Sequence, residues 1–305
     1  MTRHFLSLMD LAPAELAAIL TRAIELKAML RRGEVYEPLR NKILAMIFDK
    51  SSTRTRVSFE AGMTQLGGNC LFLSPRDTQL GRGEPLEDTA RVLSRMVDAI
   101  VLRTHEHAKI ETFARHSRVP VINALTDMYH PCQLLADILT FIERRGAIQG
   151  RRVAWVGDGN NVCHSWMNAA RQFGFTLRIA TPKGYEPNAA LLTARAEHVQ
   201  MAATPAEATR AADVVVTDTW ASMGQEQEKA QRLKDFAGFR VDAALMKLAH
   251  KDALFMHCLP AYRGVEVDAE VIDGPQSVVW DEAENRLHAQ KALLEFLLVT
   301  WGKSD

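Results

Sequence analysis

Residues 42–56 read KILAMIFDKSSTRTR, an apolar run that passes directly into a polar turn rich in hydroxyl groups. The run Lys42–Phe48 predicts a strand that is buried on both faces, and Arg54–Leu66 predicts the helix that follows it. Short apolar runs alternate with amphipathic stretches over almost the whole chain. This alternation predicts an α/β fold with two doubly wound domains, each built on a central parallel sheet.

The same patterns predict the other elements and the domain boundary. Strands are predicted at Asn69–Leu73, Ala99–Leu102, Val119–Asn123, Arg152–Val156, Thr176–Ala180, Val214–Asp218, Leu254–His257 and Val278–Trp280. Helices are predicted at Ala14–Arg32, Leu86–Met96, Lys109–His116, His130–Arg145 and Asn285–Trp301. The glycine-flanked segment 146–150 predicts a joint between domains of residues 1–146 and 147–285. The final segment, about 286–305, is expected to return to the first domain.

Composition excludes several classes of protein. The 305 residues include 37 Lys plus Arg and 37 Asp plus Glu, so no net positive charge favours nucleic acid or an anionic membrane. No apolar run reaches the length that crosses a bilayer, which predicts a cytoplasmic protein. The four cysteines are far apart and show neither a disulfide framework nor metal-ligand spacing, so no metal site is predicted.

The turn after the first strand is the strongest candidate site. Ser52 and Thr53 open a helix, where free N–H groups and hydroxyls favour an anion such as phosphate. The competing interpretation makes one of them a helix cap and leaves the arginines in solvent. Arg54 and Arg56 favour the site, because cations in a first helical turn oppose the helix dipole unless an anion joins them.

Two further strand ends in the first half carry polar side chains. Arg103 ends one strand, although a lone arginine there is more often a surface residue. His130 and Gln133 lie three residues apart at a helix start and could address one small ligand. Ligands bind beyond the carboxyl ends of parallel strands, so these groups are expected to act together.

The second half offers three candidate segments. Gly157–Val162 resembles a dinucleotide fingerprint but lacks its third glycine, so no nicotinamide cofactor is predicted and Asn161 is left to face a small ligand. The segment Asp218–Glu228 holds three acids and no Lys or Arg, which suits a cationic ligand or, alternatively, a helix start. Cys258 follows a strand, where a reactive thiol and a buried small apolar side chain are equally compatible with the pattern.

Four of these motifs together resemble ornithine carbamoyltransferases. They are Ser52–Arg56, His130–Gln133, Asp218–Glu226 and His257–Pro260, and they occur in that family's order and roughly its spacing. The first two are shared with aspartate carbamoyltransferases, whereas Ser222-Met223-Gly224 and His-Cys-Leu-Pro mark the ornithine branch. The resemblance covers nearly the entire chain.

The resemblance implies the fold, the substrates and the site residues. It implies a carbamoyl-phosphate domain and an ornithine domain joined by two interdomain helices, in a homotrimer with active sites at subunit interfaces. The carbamoyl-phosphate site would comprise Ser52, Thr53, Arg54, Thr55, Gln79, Arg103, His130, Gln133, Cys258, Leu259 and Arg286. Of these, Gln79 would serve a neighbouring subunit, and the catalytic residues would be Arg54, Thr55, Arg103, His130 and Cys258. Ornithine would contact Asn161, Asp218, Ser222 and Met223.

The expected reaction is carbamoyl transfer from carbamoyl phosphate to the side-chain amine of L-ornithine, giving L-citrulline and phosphate. It needs no cofactor, and the resemblance implies a role in arginine metabolism, with biosynthesis as the expected direction. An aspartate carbamoyltransferase and relatives acting on acetylornithine, putrescine or lysine are the nearest alternatives. A dehydrogenase and a non-catalytic phosphate-binding module are alternatives of other classes.

Overall fold

The computed structural model describes residues 2–74, 83–221 and 228–300. The chain forms two compact units, Met1–Leu139 with Glu284–Asp305, and Thr140–Ala283. Each unit contains one entirely parallel sheet, which confirms the predicted α/β class. Among the helices of the described residues, none combines the length and the apolar character needed to cross a bilayer.

Strands and helices alternate through both units. The strands are β1 Ile43–Phe48, β2 Asn69–Leu73, β3 Ala99–Arg103, β4 Val121–Leu125, β5 Arg152–Val156, β6 Thr176–Ala180, β7 Val199–Met201, β8 Val214–Thr217 and β9 Leu254–His257. The helices are α1 Pro13–Arg31, α2 Thr53–Gln65, α3 Leu86–Leu93, α4 His107–His116, α5 Pro131–Arg145, α6 Asn161–Phe173, α7 Ala189–Ala194, α8 Pro205–Thr209, α9 Lys229–Asp235, α10 Ala243–Met246, α11 Ala269–Ile272 and α12 Val279–Glu295.

The first sheet has the strand order β2-β1-β3-β4. Strand β1 has five buried residues in succession because both faces of the sheet are covered, as its continuous apolar sequence predicts. Ile47 and Leu102 from the sheet pack with Phe113 of α4 in one buried cluster. The chain order reverses between β1 and β3, and Phe48 at the end of β1 pairs with Arg103 at the end of β3. Ligands of doubly wound sheets bind at this kind of reversal.

The second sheet has the strand order β7-β6-β5-β8-β9. Val156, Val215 and Phe255 contribute to its core together with Val271 and Ile272. Its reversal lies between β5 and β8, so the segments after Val156 and Thr217 start at the same edge. Both reversals therefore coincide with motifs that the sequence singled out.

Two helices, α5 and α12, run across the boundaries between the units in the chain. Within the first unit, α12 is tied to α1 by one buried and one part-buried polar contact. Lys27 Nζ donates to Asn285 Oδ1 at 2.8 Å, and Arg22 Nε donates to Glu295 Oε2 at 2.9 Å.

One strand prediction was wrong, and one short strand had no prediction. Val278–Trp280 is not a strand: Ser277 forms a single bridge to Phe255, and α12 begins at Val279. Acidic residues in the first turn of α12 favour a helix start there. The short edge strand β7 had no prediction, because two of its three residues are exposed and give no apolar signal.

Candidate active site

The turn after β1 places a helix start at the reversal of the first sheet. Ser52 is the N-cap of α2, and its Oγ accepts a hydrogen bond from the backbone N–H of Thr55 at 3.4 Å. Ser52 Oγ also donates to Thr55 Oγ1 at 3.0 Å, and Thr55 is buried. Thr53 and Arg54 are exposed at the mouth of the helix. Ser52 therefore does cap the helix, while Thr53 and Arg54 remain exposed at its N-terminus.

Arg56 has a different environment from Arg54. Its Nε donates to Glu60 Oε1 at 2.9 Å, and its guanidinium lies 4.0 Å from the centroid of the Phe72 ring. The anion that offsets the charge of Arg56 is therefore a side chain of the same helix. The expectation that both arginines point to an external anion was wrong for Arg56.

Arg103 ends β3 beside this turn. Its side chain is buried, and its carbonyl accepts from the N–H of Asp49 at 2.8 Å. This bond fixes the start of the β1–α2 turn against the end of β3. The topology explains why residues about fifty positions apart in sequence reach one edge of the sheet.

His130 lies in the same cluster, directly before α5. Burial lowers the pKa of its imidazole well below the usual value, and the positive charges of Arg286, Arg103 and Arg54 lower it further. The ring is therefore neutral at physiological pH, with one N–H that donates and one nitrogen that accepts. Cys132, two residues on, is fully buried and donates to Asn123 O at 3.3 Å, so it packs as a small side chain.

Arg286 and Gln133 complete the cluster within the first unit. Arg286 Nη1 donates to Gln133 Oε1 at 2.7 Å, and Nη2 donates to Thr55 Oγ1 at 3.2 Å. Both side chains are buried. The structure thus brings α2, α5 and α12 together around Thr55.

The glycines after β5 serve packing. Gly157 has φ +134°, a conformation that other residues rarely adopt. At Gly159, a Cβ atom would lie 2.4 Å from Pro187 N and 2.6 Å from Tyr185 O, so the backbone of another loop fills this space. The Gly-x-Gly pattern is explained by these contacts.

Asp218 receives hydrogen bonds at the reversal of the second sheet. Its Oδ2 accepts from Asn160 Nδ2 at 2.8 Å, and its Oδ1 accepts from Thr219 N at 2.7 Å and from Cys258 Sγ at 3.1 Å. Asn160 is also the N-cap of α6, since its Oδ1 accepts from the N–H groups of Val162 and Cys163. A buried carboxylate, a thiol and an amide therefore form one polar group.

The segment after β9 is held by a buried hydrogen bond between a histidine and a glutamate. His257 Nε2 lies 3.2 Å from Glu266 Oε1, and both side chains are fully buried. His257 Nδ1 accepts from the N–H of Leu259 at 2.9 Å, which supports the left-handed backbone of Leu259 at φ +56°. Accepting at Nδ1 leaves the proton on Nε2, where it faces the carboxylate.

Asp218, His257 and Cys258 present potential metal-ligand atoms within 4.8 Å of one another. Carboxylate, imidazole and thiolate are ligands that zinc accepts. Both ring nitrogens of His257 already have partners within the fold, however, as given above. The donor set therefore fits a hydrogen-bonded turn better than a metal centre.

A second carboxylate lies next to this group. Burial raises the pKa of Asp158 to about 6, while the charge of Arg232 opposes this rise and that of Asp218 adds to it. Arg232 Nη1 donates to Asp158 Oδ2 at 2.8 Å and to Trp220 O at 2.9 Å. Arg232 thereby ties the end of the β8 segment to the turn after β5.

The remaining predicted residues lie in the second unit or outside the described residues. Asn161 is the first residue of α6 and is half-buried. Cys258 and Leu259 belong to the second unit, whereas the other described candidates for carbamoyl phosphate belong to the first. Gln79, Ser222 and Met223 lie outside the described residues.

Family models match both halves of the chain. Residues 3–143 match the carbamoyl-P binding domain of aspartate/ornithine carbamoyltransferase, and residues 149–297 match its Asp/Orn binding domain. The chain belongs to the aspartate/ornithine carbamoyltransferase family. This confirms the resemblance drawn from the four motifs.

Individual members of the carbamoyltransferase family match over nearly their full length. The chain is 68% identical to an ornithine carbamoyltransferase of Nitrosococcus oceani, covering 97% of each chain. It is 59% identical to an anabolic ornithine carbamoyltransferase of Pseudomonas savastanoi, again covering 97% of each. The crystallised ornithine carbamoyltransferase of Pyrococcus furiosus superimposes with a TM-score of 0.94 at 49% identity, covering 99% of this chain and 98% of that one.

Several polar residues of this carbamoyltransferase chain escaped the sequence predictions. Asn160 contacts Asp218, and Glu266 contacts His257. Asp137 and Gln290 contact Gln133 and Arg286, each four positions along the same helix. The four-residue spacing was a usable signal, because such side chains are neighbours on a helix.

Proposed function

We propose that this protein is an ornithine carbamoyltransferase that converts carbamoyl phosphate and L-ornithine into L-citrulline and phosphate. The observation that carries the proposal is the buried cluster in which Arg286 contacts Gln133 and Thr55, while the charges of Arg286, Arg103 and Arg54 act on the neutral imidazole of His130. Positive charge gathered around a buried hydrogen-bonding ring suits a small, doubly charged ligand with a carbonyl group.

Carbamoyl phosphate binds at the reversal of the first sheet in this proposal. The N–H groups at the start of α2, with Ser52, Thr53 and Arg54, hold the phosphate. Thr55 Oγ1 accepts from Arg286 Nη2 and Ser52 Oγ, so its own hydrogen is directed elsewhere and donates to the substrate. Arg103, His130 and Gln133 address the carbamoyl group.

Ornithine binds at the reversal of the second sheet. The carboxylate of Asp218 suits the positively charged end of a diamino acid, and Asn160 and Cys258 hold that carboxylate in place. Asn161 also belongs to this half, as do Ser222 and Met223. Aspartate would bring a second carboxylate next to Asp218, and like charges repel, so an aspartate substrate is disfavoured.

The reaction joins a nitrogen to the carbamoyl carbon. The neutral amine of ornithine attacks, the carbonyl oxygen gains negative charge, and the bond to the phosphate oxygen then breaks with its electron pair leaving on phosphate. Thr55, Arg103 and His130 stabilise the developing charge as an oxyanion hole does. Arg54 stabilises the departing phosphate. The proton that the amine loses passes to the linked pair of Cys258 and Asp218.

We further propose that the protein acts as a cytoplasmic homotrimer in arginine biosynthesis, with Gln79 serving a neighbouring subunit. The anabolic relative supports the biosynthetic direction. Sedimentation measures the mass of the assembly and so tests whether it is a trimer. A mixture of subunits carrying either Gln79→Ala or His130→Gln tests the shared site, since activity above that of either variant alone is expected only if subunits exchange residues.

The central experiment offers carbamoyl phosphate together with one amine at a time: ornithine, acetylornithine, putrescine, lysine or aspartate. Both the carbamoylated product and the released phosphate are measured. Citrulline is expected to form fastest, and Asp218→Asn is expected to slow it selectively with respect to ornithine. Preferred carbamoylation of another amine, or phosphate release that no amine accelerates, contradicts the proposal.

A further inference from the structure

A chain of buried hydrogen bonds extends behind the carbamoyl-phosphate cluster. It begins at Asp137 on α5 and ends at Ser58 on α2, passing through Gln133, Arg286 and Gln290. Asp137 is 1% exposed and Gln290 is fully buried, and each lies one hydrogen bond beyond a residue assigned to the carbamoyl-phosphate site. No role for these two side chains follows from the mechanism above.

Asp137 fixes which end of the Gln133 amide faces the arginine. Gln133 Nε2 donates to Asp137 Oδ1 at 2.8 Å, while Gln133 Oε1 accepts from Arg286 Nη1 at 2.7 Å. Asp137 Oδ1 is the acceptor of this bond, so it selects the NH₂ end of the amide. The opposite orientation would set NH₂ against the guanidinium, donor against donor. The carboxylate also polarises the amide, which strengthens the bond that its oxygen accepts.

Gln290 fixes the other edge of the same guanidinium. With its amide oxygen turned toward the arginine, it accepts from Arg286 Nε at 3.2 Å and from Nη2 at 3.0 Å. Its nitrogen donates to Ser58 Oγ at 2.6 Å, and Ser58 Oγ donates to Thr55 O at 3.1 Å. Gln290 therefore links the plane of Arg286 to the backbone of the first turn of α2.

We propose that Asp137 and Gln290 are positioning residues that orient Gln133 and Arg286 for carbamoyl phosphate. The inference rests on the proposed function of this cluster. Arg286 is held at its edges by Gln133, Gln290 and Thr55, so the direction of its donors is set before the ligand arrives. Preorganised donors bind more tightly because less side-chain entropy is lost on binding.

The test compares three variants with the wild type: Asp137→Leu, Asp137→Asn and Gln290→Leu. Leucine removes the acceptor at a similar volume, whereas asparagine can still accept from Gln133 Nε2. We expect Asp137→Leu and Gln290→Leu each to raise the Kd for carbamoyl phosphate roughly tenfold to hundredfold, and Asp137→Asn to raise it about threefold or less. The KM for ornithine is expected to stay within about twofold of the wild type, because uniform damage to the fold would change both constants.

Asp98→Leu is the matched control in the same unit. Asp98 accepts from Lys42 Nζ and from the N–H of Ile43, at the opposite end of the first sheet. Its substitution is expected to lower the thermal stability and to leave the Kd for carbamoyl phosphate unchanged. Binding is measured by calorimetry without ornithine, and the midpoint of thermal unfolding is measured for each variant.

Three results overturn the inference. The first is a wild-type Kd in both folded leucine variants, and the second is an equal rise of the Kd in Asp98→Leu. If one leucine variant does not fold, the other one decides. The third is a wild type that binds no carbamoyl phosphate, which overturns the proposed function as well. A wild type that binds it but makes no citrulline refutes only the ornithine assignment.

Discussion

Arg54 and Arg56 lie two residues apart on one exposed helical turn, and the structure predicts opposite consequences for their removal. Arg54 lies close enough to His130 to lower the pKa of its imidazole. Arg56 contacts Glu60 and Phe72 instead. Arg54→Ala is therefore expected to weaken carbamoyl-phosphate binding, and Arg56→Ala is expected to affect only stability.

The magnitudes follow from the contacts. A hydrogen bond to a charged group contributes about 1.5–3 kcal/mol, so loss of Arg54 should raise the Kd roughly tenfold to 150-fold. Arg54→Lys keeps the charge but loses the planar fork, and a smaller rise of about tenfold is expected. The exposed pair of Arg56 with Glu60 and its contact with the Phe72 ring contribute together about 1 kcal/mol to stability.

Calorimetry with carbamoyl phosphate and urea unfolding of the same three variants separate the two effects. Arg56→Ala should bind within about twofold of the wild type while its free energy of unfolding falls by about 1 kcal/mol. If Arg54→Ala binds as tightly as the wild type, or if both alanine variants lose binding equally, the assignment of α2 as the phosphate site is refuted.

Three further predictions concern other parts of the molecule. Asp218→Asn sets an NH₂ group against the donors of Asn160 or Cys258. The KM for ornithine should therefore rise roughly tenfold or more, while the Kd for carbamoyl phosphate stays constant. An unchanged KM would contradict the ornithine assignment. The pKa of His130 is lowered in the folded state, so below about pH 6.5 the unfolded state binds a proton that the folded state does not. The free energy of unfolding should therefore fall as the pH decreases through that range. The fall should be smaller in His130→Gln. NMR of labelled histidine checks this directly, and a His130 midpoint at or above 6.5 would disprove it. Gly159→Ala forces a Cβ against the backbone near Pro187 and should cost about 1–3 kcal/mol in urea unfolding, whereas an unchanged midpoint would show that this loop yields.

The strands and the location of the polar groups could be predicted because both depend on local signals. Strands β2, β5, β6 and β9 have the predicted limits, because short runs rich in apolar residues mark strands even where, as in β2 at the sheet edge, no residue is fully buried. Topology then collects whatever follows the strands at one edge of each sheet. Sequence order alone thus indicated that Thr55 and Arg103 should be close.

Elements whose structure depends on distant contacts were not predictable in this way. The apolar triplet Val278–Trp280 has the composition of a strand, but Val278 and Val279 are buried while Trp280 is 62% exposed, as on a helix. Ser277 pairs with Phe255 through a single bridge, and α12 begins two residues later, so no strand forms. The hydrophobic periodicity and composition of three residues do not distinguish a strand from the start of a helix.

Pairs of polar residues four positions apart on a helix are a sequence signal that the predictions did not use. Arg56 with Glu60, Gln133 with Asp137, and Arg286 with Gln290 are each four residues apart on a helix, and in each pair the second residue accounts for the orientation of the first. In the exposed pair, Glu60 accepts a hydrogen bond from Arg56, so we expect Arg56 not to bind the ligand. In the two buried pairs the partner leaves the first residue directed at another functional side chain. The chemistry of the neighbour four positions along, together with burial, therefore decides whether an arginine or amide near a strand end is available to a ligand.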